Sequence, residues 1–267
     1  MSQRTQKIII GMPAYNEAKY IGSLVLRAKE YADEVLVVDD GSTDGTAEIA
    51  RLAGAIVLRH ETNQGYGSSI RHLLAAARER QADILVTMDA DAQHNPDQIP
   101  RLVESLKQAV IVIGSRAMQE NRIAGYRRLG QKVLTRLTGI ASRRRLTDTE
   151  SGFRAYSRHA LMKLELKETG MAVSSEIITE ATAKGLKIAE VPISVTYGKD
   201  TSTLNPVRHG MSVLARILVM ISERRPLLFF SLGGAFFLAI GLAAGITVIR
   251  IYYFGANVLA TGLALIS

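Results

Sequence analysis

Residues 34–46 read EVLVVDDGSTDGT, and the fold follows from how this stretch is read. The apolar run Val35, Leu36, Val37, Val38 is short and mostly β-branched, and it stops at two carboxylates and a glycine. That pattern describes a strand buried on both faces whose carboxyl end carries polar chemistry. Outward from it, similar runs stand at KIIIGMP (7–13), AIVLRH (55–60), DILVTMD (83–89) and VIVIGSR (110–116). Between them lie segments with helical spacing: Ile21, Leu24, Val25 and Ala28, with Asn16 as the expected cap, and Leu73, Leu74 and Ala77 further on. Strand and helix in alternation predict an α/β domain, a doubly wound, mostly parallel sheet with right-handed crossovers. Ligands bind such sheets beyond the carboxyl ends of the strands.

Those ends are polar throughout. The first continues into Pro13, Ala14, Tyr15, Asn16 and Glu17, the second into Asp39, Asp40, Gly41 and Ser42, and the fourth into Asp89, Ala90, Asp91, Ala92 and Gln93. On an extended segment Asp89 and Asp91 share a face, with Gln93 next in the same series, and an all-oxygen set of this kind suits Mg²⁺ or Mn²⁺. The competing reading makes the acidic pair a cap for a helix beginning near Pro96. Gly65-Tyr66-Gly67 lacks the spacing of a dinucleotide fingerprint, and no P-loop lysine motif occurs, which disfavours oxidoreductase and P-loop hydrolase readings. The absence of cysteine removes disulfides and thiolate metal sites.

Beyond the fifth run the pattern loosens. A turn TDTESGF (147–153) precedes a helix expected near Ser174 to Lys184, and Val191, Ile193, Val195 and Tyr197 alternate as in a half-exposed strand. The formal charge is +8, and between Asn121 and Thr147 stand Arg122, Arg127, Arg128, Lys132, Arg136, Arg143, Arg144 and Arg145 without an acid. Such a patch suits nucleic acid, anionic lipid or phosphorylated substrates, or is simply a solvated face; the apolar tail favours lipid phosphate. Residues 207–225 have the pattern of an amphipathic helix lying on a bilayer, and 227–249 form an uncharged stretch long enough to span one. A second stretch, 251–267, has the length of an incomplete returning span. The division expected is therefore a catalytic domain over 1–206, an interfacial helix over 207–225 and a membrane segment over 226–267. The N-terminus carries no export signal, and Arg224 and Arg225 before the span, against Arg250 after it, favour a domain on the cytoplasmic side.

PAYNE (13–17), DDGSTDGT (39–46), DADAQH (89–94), GSR (114–116) and DTESGFR (148–154), in this order, together resemble the dolichyl-phosphate mannose synthase family and the related polyprenyl-phosphate glycosyltransferases. The resemblance implies an inverting GT-A glycosyltransferase with a Rossmann-like sheet, transferring mannose or else glucose from GDP-mannose or a UDP-sugar to dolichyl or another polyprenyl phosphate. It implies a nucleotide pocket of Pro13, Ala14, Tyr15, Glu17 and Asp40, a metal group of Asp89, Asp91 and Gln93, and phosphate contacts from Arg116, Arg128 and Lys199. Asp91, Arg116 and Asp148 are the implied catalytic residues. Asp148 is open between base, substrate orienter and structural turn residue, because a phosphate acceptor is already anionic at neutral pH. The family's Ser-Lys pair after the last strand is replaced here by DTSTLN. Two other classes compete: a processive polysaccharide synthase, disfavoured because the chain has no tryptophan for a Gln-x-x-Arg-Trp motif, and a non-catalytic membrane adaptor that binds nucleotide-sugar or anionic lipid. His94 and His159 are read as ordinary surface or satisfied histidines.

Overall fold

The computed structural model describes residues 6–116, 146–196 and 226–264, with single positions at 135, 136, 139, 215, 219 and 222. Arg128, Lys199 and nearly all of the expected interfacial helix and of the basic run therefore lie outside the described residues. The chain divides into two units, Met1–Leu218 and Val219–Ser267.

In the first unit the elements run β1 (Ile8–Ala14), α1 (Ile21–Ala28), β2 (Glu34–Asp39), α2 (Thr46–Leu52), β3 (Ile56–Arg59), α3 (Tyr66–Glu79), β4 (Ile84–Thr87), a 3-10 turn (Pro96–Gln98), α4 (Ile99–Ser105), β5 (Ile111–Ser115), β6 (Arg154–Ser157), α5 (Arg158–Lys163), α6 (Val173–Ala183) and β7 (Ile188–Pro192). The sheet order is β3-β2-β1-β4-β6-β5-β7. β1, β2, β3 and β4 pair in parallel, and so do β5 and β7. β6 lies antiparallel between β4 and β5, so the fourth and fifth runs are not neighbours.

Alternate residues of each strand serve opposite faces, as the pleat requires. Ile10, Met12, Val35, Val37, Val86 and Val112 pack with Ile21, Leu24, Val25, Ile99 and Leu102 on one side. Ile9, Leu36, Val38, Leu85, Ile111 and Ile113 pack with Ile70, Leu73, Leu74, Leu161, Ile177 and Ile178 on the other. The result is a helix–sheet–helix sandwich with strands buried on both sides, which is why they read as continuous apolar runs. At Gly11 a Cβ would stand 2.9 Å from Leu73 Cδ2, so the glycine lets α3 settle onto the middle of β1.

Two local expectations change. Asn16 does not cap α1, which starts at Ile21 behind Tyr20; Asn16 has φ 56° and its Oδ1 accepts the Thr43 N–H at 2.9 Å. An Asn tolerates that left-handed conformation and bonds across to the next loop instead. Among the described residues the last strand ends at Pro192, and beyond it Val195 makes a bridge to His94. The alternation at 191–195 thus reflects a segment folded over the acidic turn after β4.

The second unit holds α7, Pro226–Ala264, 39 residues long. It contains Gly234–Tyr253, with mean hydropathy 2.0, apolar and long enough to cross a membrane. The helix continues through Arg250 with no turn, in place of the break expected between 249 and 251: no proline or glycine interrupts Ile246–Phe254, and arginine is a good helix former.

Leu73 is fully buried in the α3 layer. Leu73→Ala is expected to lower the unfolding free energy by about 2–5 kcal/mol, the usual cost of a core cavity, measured by urea denaturation followed by circular dichroism.

Candidate active site

The chain leaves β1 on one side to build β2 and β3 and returns on the other to build β4, so the crevice between the carboxyl ends of β1 and β4 is a topological switch point. PAYNE enters it from β1 and DADAQH from β4.

On the β1 side two loops are stitched together. The N–H groups of Asn16, Glu17 and Ala18 donate to Ser42 Oγ (2.9 Å), Thr46 Oγ1 (2.8 Å) and Asp44 Oδ2 (3.1 Å). Pro13 and Ala14 are buried, whereas Tyr15 is 45% exposed beside them. Asp40 is buried and engaged: its oxygens accept the N–H groups of Gln64 and Gly65, each at 2.9 Å, and Oδ1 lies 2.7 Å from His60 Nδ1. In this arrangement Asp40 anchors the 60–65 loop.

On the β4 side the acidic turn is bent, not extended. β4 stops at Thr87, Asp91 Oδ1 accepts the Gln93 N–H at 3.0 Å in an Asx turn, and Ala92 has φ 60°. The side chain of Gln93 donates to Asp91 Oδ2 at 2.5 Å. The helical cap belongs to Asn95, whose Oδ1 accepts the Asp97 N–H, so the acidic pair is not a cap. Burial, then the charge of Asp89, pushes Asp91 up to about 6. Burial, then Asp91, Asp44 and Asp89, pushes Glu17 up to about 7. Carboxyl groups from β1 and β4 thus crowd one another across the crevice.

A hard divalent cation fits this set. Among the described residues no three His, Asp or Glu side chains form a closed metal site. Two carboxylates with the remaining positions left to water and a substrate diphosphate are the pattern such cations take, and a positive charge would relieve the repulsion that raises Glu17 and Asp91. Asp89 and Asp91 would hold it, and Gln93, whose amide nitrogen is bonded to Asp91, would add its amide oxygen.

Three features were not legible in the motifs. Asp148 is buried and bidentate with Arg116, which donates through Nε at 2.6 Å, Nη2 at 2.8 Å and its main-chain N–H at 3.0 Å. Burial works against the Asp148 charge, but the Arg116 bonds outweigh it and hold the carboxyl below the usual range. Glu190 of β7 pins the same turn by accepting the N–H groups of Thr147 and Asp148, each at 2.9 Å. His94 is not at the surface: it is buried with its ring 5.1 Å from that of Phe153, and Nδ1 accepts the Asp89 N–H at 3.4 Å. His159 is exposed, as expected. A signal for the Arg116–Asp148 pair was present in the sequence only as two separate motifs, since nothing local joins GSR to DTE.

Asp148→Asn is expected to destabilise the fold by about 3 kcal/mol, because it leaves the largely buried Arg116 without its counter-charge. The folded carboxyl lies below its unfolded value, so its stabilisation is complete above that unfolded value, about 3.9, and is lost as the pH falls through the folded one. The difference between wild type and D148N should therefore narrow below about pH 4 in denaturation curves taken across pH.

Residues 9–165 match the family described as Glycosyl transferase family 2. A Methanococcus voltae protein named UDP-N-acetylglucosamine--dolichyl-phosphate N-acetylglucosaminyltransferase is 30% identical over 80% of this chain and 95% of its own. A Haloferax volcanii dolichyl-phosphate hexose transferase is 31% identical over 82% of this chain and 95% of its own. Among solved structures, glucosyl-3-phosphoglycerate synthase from Mycobacterium tuberculosis, in complex with Mn²⁺ and UDP-glucose, superimposes with a TM-score of 0.67 at 24% identity, covering 82% of this chain and 79% of that one. The fold is therefore GT-A, and the family match spans more than half of the chain: it belongs to glycosyl transferase family 2 and is a glycosyltransferase.

Proposed function

We propose that the enzyme transfers a hexose, mannose or else glucose, from GDP-mannose or a UDP-sugar to dolichyl or another polyprenyl phosphate, with inversion at the anomeric carbon. The observation that carries the reading is the placement of Glu17 after β1 and of Asp89 and Asp91 after β4, at the switch point of a family 2 domain whose chain also contains an apolar helix able to cross a membrane. The names of the Methanococcus and Haloferax relatives support a dolichyl phosphate acceptor.

In this reading Pro13, Ala14, Tyr15, Glu17 and the Asp40 turn border the nucleotide, and Asp89, Asp91 and Gln93 would hold Mg²⁺ or Mn²⁺, which when bound neutralises the departing diphosphate. An acceptor phosphate oxygen forms the new bond to the anomeric carbon from the face opposite the diphosphate, whose oxygen leaves with the bonding electron pair. The acceptor is mostly deprotonated at neutral pH, its second pKa being about 6, so no base is required. Asp148 then serves to aim Arg116 at a phosphate, not to take a proton. Arg128 and Lys199 are proposed as further phosphate contacts, and the catalytic domain is proposed to face the cytoplasm, from the arginines that flank the apolar segment. Residues 1–206 are proposed to bind the donor without the tail.

The reading is tested by incubating membranes containing the enzyme with a panel of GDP- and UDP-sugars and polyprenyl phosphate, then extracting the lipid product. Absence of any sugar-lipid product across the panel would overturn it. Turnover should require Mg²⁺ or Mn²⁺ and be abolished by excess chelator, and Asp91→Ala should lower it at least about a hundredfold, as for the loss of a principal electrostatic stabiliser. Replacing Arg127 and Arg128 with Ala should raise the requirement for lipid acceptor far more than that for donor, because basic residues near a bilayer attract anionic headgroups. Paired saturation curves for the two substrates measure this.

A further inference from the structure

Tyr66 has no role in the reading above, yet its surroundings are built around it. It is the first residue of α3, flanked by Gly65 and Gly67. Gly65 has φ 95°, and a Cβ there would stand 2.5 Å from the Thr169 carbonyl oxygen; one at Gly67 would stand 2.6 Å from that of Glu168. The two glycines therefore let the 168–170 backbone lie directly on the start of the helix, where Ser68 N–H donates to Thr169 O at 3.2 Å. Between them Tyr66 turns inward, and its hydroxyl donates to Asp89 Oδ1 at 3.0 Å.

The same contact is closed from the other side by Gly152. A Cβ on Gly152 would lie 2.4 Å from Asp89 Oδ1 and 2.6 Å from Tyr66 Oη, and the Gly152 carbonyl is fixed by the Thr87 hydroxyl at 2.9 Å. A phenol placed merely to fill the core would need no slot cut to the width of its hydroxyl and a carboxylate. With Oδ1 held by Tyr66, the Asp89 carboxylate turns Oδ2 toward the site; His94 Nδ1 stands 3.7 Å from it, beyond hydrogen-bond distance, and accepts the Asp89 main-chain N–H instead.

We infer that Tyr66 is a positioning residue for the divalent cation, fixing Asp89 so that it ligates through a single oxygen, with Gly152 as the space that permits it. The inference rests on the reading that Asp89 holds a cation. Groups that orient a metal-binding carboxylate in this way are commonly worth about 10- to 100-fold in metal affinity.

The test uses the full chain in detergent, with Tyr66→Phe, which keeps the ring and removes only the hydroxyl. Mn²⁺ is titrated alone and again with UDP and with GDP, its binding followed by electron paramagnetic resonance. Tyr66→Phe should weaken Mn²⁺ by about 10- to 100-fold, and its turnover should recover as Mn²⁺ is raised, with the donor KM at saturating Mn²⁺ unchanged. A folded Tyr66→Phe enzyme with wild-type Mn²⁺ affinity, or one whose turnover stays low at every Mn²⁺ concentration, overturns the inference and leaves the metal reading standing. A wild-type enzyme that binds no Mn²⁺ under any of the three conditions overturns the metal reading itself, and this inference with it. If circular dichroism shows that Tyr66→Phe does not fold, Gly152→Ala presses on the same contact and should weaken Mn²⁺ in the same direction; unchanged affinity in that folded variant counts against the inference equally.

Discussion

The guanidinium of Arg154, 1% exposed in β6, donates to three main-chain carbonyls: Ser151 O at 2.8 Å, Thr149 O at 2.7 Å and Ser174 O at 3.1 Å. A cation this deep is tolerated only if its donors are satisfied, and here they are satisfied by the turn that the active site needs. Arg154 holds residues 149–151 in place, which presents Asp148 to Arg116 at the end of β5 and Gly152 to Asp89 after β4. The two halves of the site, one at each neighbouring strand end, are thereby set at a fixed separation by one buried side chain.

The electrostatic arrangement follows from this. A chain with formal charge +8 places carboxyl groups after β1 and β4, at the crevice where the order in which strands are added to the sheet reverses. Burial, and then their mutual repulsion, raises Glu17 and Asp91, which a positive charge at the crevice would offset. An arginine locked to its own aspartate stands on β5's side of the turn. On the proposed reading an anion would be met in two ways, by a cation held on the carboxylates and by a guanidinium whose geometry Asp148 already fixes.

Much of this was legible in the sequence, and what was not has physical reasons. The parallel strands announced themselves because burial on both faces demands continuous apolar runs, and the polar segments that follow β1, β2 and β4 stand out because those runs stop abruptly at them. β6 was invisible: RAYS at 154–157 carries an arginine into the core and contains no run of apolar residues. The extended reading of Asp89 to Gln93 failed because the Asp91 carboxylate competes with the strand for the Gln93 N–H. Asn16 failed as a cap because a loop 27 residues away offered it a better partner. The pairs Arg116–Asp148 and Tyr66–Asp89 join residues 32 and 23 positions apart, and no periodicity reports such contacts.

The position of β6 also governs the order in which the protein can be completed during synthesis. β1, β2, β3 and β4 pair among themselves from residues 8 to 87, but β5 borders only β6 and β7, both made later. As the chain emerges N-terminus first, the described strands that border β4 on its far edge and β5 on both edges are made only after residue 153. The carboxylates that follow β1 and β4 are therefore brought near one another early, while the turn at 147–153 is made later. A nascent chain holds an unarmed site until its sheet is sewn shut.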